Sequence, residues 1–254
     1  MKVVQISGKK ESGKNTTANY IAGRYLTLRG IIDNFNIREE GGMFIKLDDE
    51  NICDLYLDQP FYPSTQQLMP YVHIYSWGYL MKMTIHQLFG VPLELMFGTA
   101  EDKNEETDIK WEWFKKFGFE GKGKMTVREV METFGNMMRK VDPDIWVKAM
   151  IRRIKQEEPE LAIIGDSRYG NEIVGVENLE SDNVNVLTFR LLRNPQNSDN
   201  PSETALDKYK FDNVIDNTEL DIYQTNLEVE KLVGPFLWPN GTIELEVKEE
   251  VESS

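Results

Sequence analysis

The chain has 254 residues, 40% of them hydrophobic, which is enough for one large domain with a substantial core. Its net charge of −14 argues against nucleic acid as the main ligand, because proteins that coat nucleic acid use Lys and Arg to neutralise phosphates. The single Cys53 excludes an internal disulfide framework. No apolar run approaches the roughly 18 residues that span a bilayer, and no signal peptide is recognisable before Gly8, so we expect a cytoplasmic protein without a membrane partner.

The first predicted unit is a strand at residues 2–7, a loop from Gly8 to Lys14, and a helix from Lys14 to Leu28. Glycine at both ends of the loop lets the backbone curl, so that successive N–H groups point inward at a polyphosphate. The helix directs the positive end of its dipole to the same place, and Lys14 adds an ammonium group. This context is typical of an ATP-binding P-loop. The residues predicted to bind the nucleotide are Gly8, Lys9, Lys10, Glu11, Ser12, Gly13, Lys14, Asn15 and Thr16.

One position departs from the P-loop pattern and bears on Mg²⁺. The Ser or Thr that usually follows the lysine is Asn15 here, and Thr16 comes next. An amide carbonyl is a poorer magnesium ligand, or acts through water. We therefore predict that Mg²⁺ is positioned by Asn15, Thr16 and a later carboxylate, Asp166, in part through water.

Residues 30–70 are predicted to form a β-hairpin insertion. Two apolar runs flank the polar residues 48–51, and prolines bracket the exit. The chain then resumes with a buried strand at 72–76 and a helix from Gly78 to Phe89. The hairpin is therefore treated as local rather than as a separate domain.

The next part of the chain is polar and is predicted to contain the substrate loop, at residues 99–125, interrupted by a short aromatic run. Thr126 lies three residues before Glu129, which is the pattern of a capping box and predicts the start of a helix with one apolar face. A second helix is predicted from Pro143 to about residue 156.

Strands and helices continue to alternate in the second half. We predict strands at 161–165, 184–192 and 214–215, and helices at 171–179 and 222–233. This alternation predicts an α/β fold, a P-loop NTPase-type three-layer sandwich with a parallel five-stranded sheet and the hairpin insertion. Residues 1–240 are assigned to this single domain, and residues 241–254 to an acidic tail.

Ligands of such sheets bind beyond the carboxyl ends of the strands, which draws attention to Asp166, Ser167 and Arg168. A carboxylate at that place suits a Mg²⁺-bound water beside the P-loop, and a guanidinium suits a phosphate through two parallel hydrogen bonds. The alternative is a solvated turn with a local ion pair.

Four further arginines are candidates for phosphate contacts. Arg190 and Arg193 flank the end of the fourth strand, so residues 190–203 are predicted to be a lid-like segment whose arginine stabilises the charge that develops during transfer. A solvated loop with incidental charge is the alternative. Arg128 and Arg139 lie eleven residues apart on one predicted helix. One of them is expected to bind the acceptor phosphate, and we favour Arg128 because it begins the helix beside the presumed substrate loop.

Taken in order, these segments resemble the bacteriophage deoxynucleoside monophosphate kinases and their P-loop relatives. The resemblance covers residues 1–28 and 72–233 and skips the hairpin insertion. The order and spacing of the segments are more specific than any one of them. The segments are 8–16 (GKKESGKNT), 98–104 (GTAEDKN), 127–135 (VREVMETFG), 142–148 (DPDIWVK), 164–168 (IGDSR) with Asn171 and Glu172, and 201–206 (PSETAL).

The resemblance implies transfer of the γ-phosphoryl group of ATP, with Mg²⁺, to a deoxynucleoside 5′-monophosphate. It also supports the site residues proposed from the sequence and adds others. The residues expected to act in catalysis are Lys14, Asp166, Arg168, Arg190 and Arg193. Those expected to bind the substrate are Lys82, Lys103, Arg128, Trp146 and Arg168.

Two departures from the relatives leave alternatives open. Relatives carry Asp where this chain has Asn15, and an acceptor-side Asp where it has Tyr79. A small-molecule kinase of the same fold, acting for example on dephospho-coenzyme A, is one alternative. A nucleotide-binding protein without catalysis is the other. The accepted base and the oligomeric state, with a homodimer as one option, are left open by the sequence.

Overall fold

The computed structural model describes residues 1–46, 52–55, 63–182, 184–193 and 204–239. Most of the predicted lid-like segment and the whole acidic tail lie outside these residues, as does the turn of the predicted hairpin. Within the described ranges, no helix has the length and apolar character needed to cross a membrane.

Strands and helices alternate along most of the chain. The regular elements are β1 (Lys2–Ser7), α1 (Lys14–Leu28), β2 (Asn36–Ile37), β3 (Met43–Lys46), β4 (Ile52–Leu55), α2 (Pro63–Leu68), β5 (Val72–Tyr75), α3 (Tyr79–Phe89), α4 (Leu93–Phe97), β6 (Glu106–Lys110), β7 (Lys124–Thr126), α5 (Val127–Val141), α6 (Ile145–Glu157), β8 (Leu161–Ser167), α7 (Gly170–Glu177), β9 (Asn185–Leu192), β10 (Val214–Asp216) and α8 (Ile222–Leu237). Short 3-10 helices lie at Asp102–Asn104, Trp111–Trp113, Lys115–Phe117 and Asn178–Asp182. The predicted strands of the main sheet agree with these bounds within two residues.

Five parallel strands form the central sheet, in the order β10-β9-β1-β8-β5. Helices cover both faces, so the predicted α/β three-layer fold is confirmed. The first strand of the chain lies in the centre of the sheet. Because all five strands are parallel, their carboxyl ends meet at one edge.

Alternating side chains explain how the sheet is buried on both faces. Val4 and Ile6 of β1 pack against α1 and α8, whereas Val3 packs on the opposite face against α6 and α7. In β8, Ile163 and Ile164 divide between the two faces in the same way. Each such aliphatic side chain contributes about 1.5–3 kcal/mol when it is fully buried. The sheet is therefore fixed in register by a core on each side.

The region predicted to be a substrate loop contains more structure than expected. β6 and β7 pair antiparallel, and Ile109 and Met125 from these strands are buried beneath α5 with Val127. The expectation of an irregular loop at 99–125 was therefore wrong. The strands have only five and three residues with one buried apolar side chain each, Ile109 and Met125, so any alternation is too short to predict a strand from the sequence.

The predicted hairpin insertion forms a three-stranded antiparallel sheet, β2-β3-β4, and it rests on α1. The Asn19 side-chain amide donates to the Gly41 carbonyl at 2.9 Å. Gly41 has φ +89°, and a Cβ there would collide with the Thr16 hydroxyl. The ring of Phe35 likewise lies where a Cβ on Gly23 of α1 would be. The insertion is thus seated on the helix that follows the P-loop.

Candidate active site

The carboxyl ends of three neighbouring strands are level at one edge of the sheet. Ser7, the last residue of β1, pairs with Ser167 on β8 and with Arg190 on β9. The loop that starts at Gly8 therefore begins between the end of β8, where Asp166 and Arg168 lie, and the end of β9, where the predicted lid residue Arg190 lies. The structure brings these parts together, as the sequence predicts.

The loop from Gly8 to Lys14 has the curled backbone expected of a phosphate-binding loop. Gly8 has φ +156° and Gly13 has φ +89°, and Glu11 also lies in the left-handed region at φ +63°. A Cβ on Gly8 would collide with the Ser12 hydroxyl, so glycine is required there for close approach. The Ser12 N–H donates to the Lys9 carbonyl at 3.2 Å, which closes the turn.

The Lys14 ammonium lies inside this loop. Its side chain is only 8% exposed, and its Nζ lies 2.5 Å from the Lys9 carbonyl oxygen. Gly13 precedes α1, no side chain of the described residues caps that helix, and its first turn carries no acidic residue. The N–H groups at the start of α1 are thus left for an anion.

Buried polar atoms around the loop provide an independent test of this interpretation. The hydroxyl groups of Ser12 and Thr17 are buried and have no hydrogen-bond partner among the described residues. Buried hydroxyl groups normally have a partner. Together with the lysine and the N–H groups at the helix start, they suit a polyphosphate. The residues present therefore fit the phosphate groups of a nucleotide.

Asn217 is a site residue that the sequence did not reveal. It follows β10 and is 1% exposed, and its side-chain amide donates to the Ser12 carbonyl at 3.1 Å. It therefore braces the loop from the side of β9 and β10. The only available signal was its place directly after a short strand, which by itself does not distinguish it from other polar residues there.

The three residues predicted to position Mg²⁺ lie in different surroundings. Asn15 is exposed in the first turn of α1, and Asp166 is half-buried at the end of β8. The Thr16 hydroxyl lies against Gly41 of the insertion, so its side chain is engaged there rather than with the loop. Across the described ranges, no group of three or more His, Cys, Asp or Glu could hold a metal ion alone. Mg²⁺ in phosphoryl-transfer sites draws several ligands from water and phosphate, so Asn15 and Asp166 fit that indirect arrangement.

Asp166 also ties the ends of two strands together. Its carboxylate accepts a hydrogen bond from the Ser76 hydroxyl at 2.9 Å and another from the Trp77 backbone N–H at 3.1 Å. The Trp77 indole N–H and the Gln5 amide both donate to the Ser167 hydroxyl, at 3.0 and 2.8 Å. The segment after β5 is thus held beside the end of β8, with lone pairs of Asp166 left for water.

Arg168 lies at a junction organised by a buried carboxylate. Glu172 Oε2 accepts the backbone N–H groups of Arg168 and Tyr169 at 2.7 and 3.1 Å. Burial raises the pKa of Glu172 to about 7, and the charge of Asp166 adds to this, against the hydrogen bonds and Arg139. The Arg139 guanidinium lies 4.0 Å from Glu172 Oε1 and 4.9 Å from the centre of the Tyr169 ring. Arg139 is therefore a neighbour of the Arg168 segment.

Arg128 lies in a different cluster, at the start of α5. Its Nε donates to the Asn104 side chain at 3.3 Å, beside Lys103, whose ammonium donates to the Gly98 carbonyl at 2.6 Å. Burial and the Arg128 charge lower the pKa of Lys103. Eleven residues of α-helix span about 16 Å, so Arg128 and Arg139 cannot hold one phosphate together. The structure brings Lys103 to Arg128, and it brings Arg139 to the Arg168 segment.

The other two predicted substrate residues are close to aromatic rings. The Lys82 ammonium lies 4.1 Å from the centre of the Phe97 ring, on the α3–α4 side of the site. Trp146 is 9% exposed, contacts Phe134, and donates its indole N–H to the Gly135 carbonyl at 3.3 Å. This is the environment of a core residue, and the substrate role of Trp146 stays a prediction.

The two predicted lid arginines are engaged in contacts of their own. Arg190 is 7% exposed, donates from Nη1 to the Leu206 carbonyl, and lies 2.9 Å from Asp207 Oδ1. A buried guanidinium with these partners anchors the segment around Asp207 in this structure, and the role of Arg190 in transfer stays a prediction. Arg193 is exposed and donates to the Leu220 carbonyl at 3.1 Å. The lid-like residues 194–203 lie outside the described part of the chain.

A hollow of about 700 Å³ lies at the amino ends of the strands, opposite the edge that carries the loop from Gly8 to Lys14. It is lined by residues that include Lys2, Glu180 and Asn185. The Lys2 ammonium donates to the carbonyls of Phe236 and Leu237 at the end of α8. Its ammonium group therefore stabilises that helix end.

Scans against protein-family models and against curated proteins found no match. The functional conclusion therefore rests on the geometry of the phosphate loop, on the charged side chains at the carboxyl edge of the sheet, and on the resemblance of the sequence segments.

Proposed function

We propose that this chain is a P-loop kinase that transfers the γ-phosphoryl group of ATP to a deoxynucleoside 5′-monophosphate, giving ADP and a deoxynucleoside diphosphate. The observation that carries the proposal is the loop from Gly8 to Lys14, which joins the central strand of a parallel sheet to an uncapped helix and holds a buried ammonium group. The resemblance to bacteriophage deoxynucleoside monophosphate kinases supports the choice of acceptor.

The phosphate loop would hold the donor. Lys14 would exchange the Lys9 carbonyl for the outer phosphates of ATP, and the N–H groups of the loop and of α1 would stabilise their charge. When bound, Mg²⁺ near Asn15 and Asp166 would supply further charge neutralisation. Phosphoryl transfer mainly requires that the protein align the two substrates and stabilise the negative charge on the phosphoryl oxygens. These residues supply both without a covalent intermediate.

The acceptor would lie along α5, on the β5–β8 side of the loop. Arg168 follows the strand next to β1, and Arg139 is held beside it by Glu172 and Tyr169. We assign these two arginines to the acceptor phosphate. Arg128 and Lys103 lie near the other end of α5 and would contact the acceptor farther from the phosphate loop.

The test is ADP release with each deoxynucleoside monophosphate in turn, using the unmodified protein and Lys14→Ala. We expect turnover with at least one acceptor and a loss of roughly a hundred- to a thousandfold in Lys14→Ala, because one transition-state donor is removed. Lys231→Ala is the matched control, since its exposed ammonium pairs with Glu228 on α8, away from the loop. Thermal melting of all three proteins checks that the fold is kept.

Three other outcomes would contradict the proposed function. Turnover with dephospho-coenzyme A and with no deoxynucleoside monophosphate would indicate a different kinase of the same fold. ATP binding without turnover on any acceptor would indicate a nucleotide-binding protein. Normal turnover in Lys14→Ala, with unchanged melting, would exclude the phosphate loop as the donor site.

A further inference from the structure

A single carboxylate, that of Asp207, is shared between the phosphate loop and the end of β9. Its Oδ2 lies 3.1 Å from the Lys9 ammonium, and its Oδ1 lies 2.9 Å from the Arg190 guanidinium. Lys9 is the second residue of the loop, whereas Asp207 is about 200 residues later in the chain. The contact therefore joins two distant parts of the sequence at the donor site.

The two ion pairs of Asp207, with Arg190 and with Lys9, differ in how easily they can be broken. Arg190 is almost buried and also holds the Leu206 carbonyl, so it would be left as an unpaired buried charge without Asp207. Lys9 and Asp207 are 22% and 38% exposed, and the lysine stem is flexible. The Arg190–Asp207 pair is therefore fixed, and the Lys9–Asp207 pair is the one that can exchange.

Burial opposes ionisation of Asp207, but hydrogen bonds from Lys9 and Arg190 outweigh it and hold the pKa of its carboxyl below the usual value. The residue is thus anionic at neutral pH, at the rim of a loop shaped for anions. Two of the three lysines in the loop are engaged at residue 9, because the Lys14 ammonium contacts the Lys9 carbonyl and the Lys9 ammonium pairs with Asp207. An incoming polyphosphate has to replace both contacts to obtain both charges.

We propose that Asp207 sets the affinity of the donor subsite by competing with the polyphosphate for the Lys9 ammonium. This rests on the proposed function only in that the loop binds the phosphates of a nucleotide. When the ligand takes Lys9, Asp207 loses that partner and stays paired with Arg190. The carboxylate therefore weakens donor binding and favours release of the product ADP.

The test is a double-mutant cycle of Lys9→Gln and Asp207→Asn, with affinities for inorganic tripolyphosphate and ADP measured by calorimetry. Asp207→Asn should bind both ligands about two- to fivefold more tightly, which is the range expected for a partly exposed ion pair. In the Lys9→Gln background, the same substitution should change affinity much less. Asp212→Asn, an exposed carboxylate in the same segment, is the matched control and should change neither affinity.

Two other outcomes of the affinity measurements would contradict the competition between Asp207 and the ligand. Weaker binding in Asp207→Asn would show that Asp207 orients Lys9 rather than competes for it, and equal gains in both backgrounds would show that Lys9 is not involved. Either result overturns the proposal. If Asp207→Asn does not fold, Lys9→Gln decides alone, because it keeps the Arg190–Asp207 pair. Its loss of affinity should stay below about fivefold, and a larger loss would contradict the competition. Because these affinities are measured without an acceptor, they test the role of Asp207 even if the chain transfers no phosphoryl group.

Discussion

Arg168 and Arg128 carry the same guanidinium group in different surroundings. The backbone of Arg168 is fixed by Glu172 at the end of β8, one strand from the phosphate loop. Arg128 hydrogen-bonds to Asn104 in the segment that precedes β6. Under the proposed function, a residue beside the acceptor phosphate should affect every acceptor alike, whereas a residue that contacts the acceptor farther from that phosphate should distinguish among the bases. The two arginines can therefore be separated by measurement.

We expect Arg168→Ala to raise the KM for all deoxynucleoside monophosphates by about ten- to a hundredfold, since a charge-assisted hydrogen bond to phosphate contributes roughly 1.5–3 kcal/mol. Arg128→Ala should raise the same KM by amounts that differ among the bases. The KM for ATP should move much less in both. Arg152→Ala, an exposed arginine on α6, is the control. A change in the KM for ATP alone would place these arginines in the donor subsite instead of the acceptor subsite.

Among the elements, α5 is the one that was predicted best, because its signals are local. Thr126 and Glu129 form the capping box that the sequence indicates, with hydrogen bonds of 3.2 and 2.8 Å. The pairing of β6 with β7 was missed, because its support comes from α5 packed above it rather than from the strands themselves. Local chemistry predicts a helix start, whereas tertiary packing alone fixes such short strands.

Thr126→Ala tests the role of this capping box. We expect the free energy of unfolding to fall by about 1 kcal/mol, because the N–H of Glu129 loses its acceptor. In a protein of this size the melting temperature should drop by roughly 2–4 °C. Thr126→Ser keeps the hydroxyl and should restore most of the loss. An unchanged melting temperature in the Ala variant would mean that packing of α5 alone fixes its start.

On the scale of the whole molecule, the parallel sheet and the position of the loop followed from the sequence, whereas the strand order and the network around the loop did not. Val3, Val4 and Ile6 before a glycine loop predict the strand and its turn from neighbouring residues. Asn217 and Asp207 reach the same loop from about 200 positions away. No periodicity or spacing links such residues, because their proximity is produced by the sheet order.

Stability should also depend on pH through a cluster that joins the sheet to α6. His73 Nδ1 lies 2.8 Å from Glu157, which also accepts hydrogen bonds from Tyr75 and Arg153. Burial alone would raise the pKa of Glu157, but these hydrogen bonds lower it to about 2. A folded pKa below the unfolded value stabilises the protein above pH 4.5, and this contribution is lost as pH falls towards 2.

Glu157→Gln measures this contribution. Urea unfolding at pH 7 should show a loss of about 1–2 kcal/mol, after allowance for the partial exposure of the group. The difference between the two proteins should shrink between pH 4.5 and pH 2. Glu228→Gln, in an exposed pair on α8, is the control. A difference that stays constant over this range would assign the effect to lost packing rather than to charge.

The central place of β1 has a consequence for how the molecule is made. Its two neighbours in the sheet, β8 and β9, are encoded about 160 residues or more after it. At 5–20 residues per second, a ribosome takes roughly 10–30 s to supply the first of them. During that interval the apolar strand has left the tunnel and has no sheet to join. The loop from Gly8 to Lys14, which directly follows β1, therefore takes shape only after these later strands have been translated.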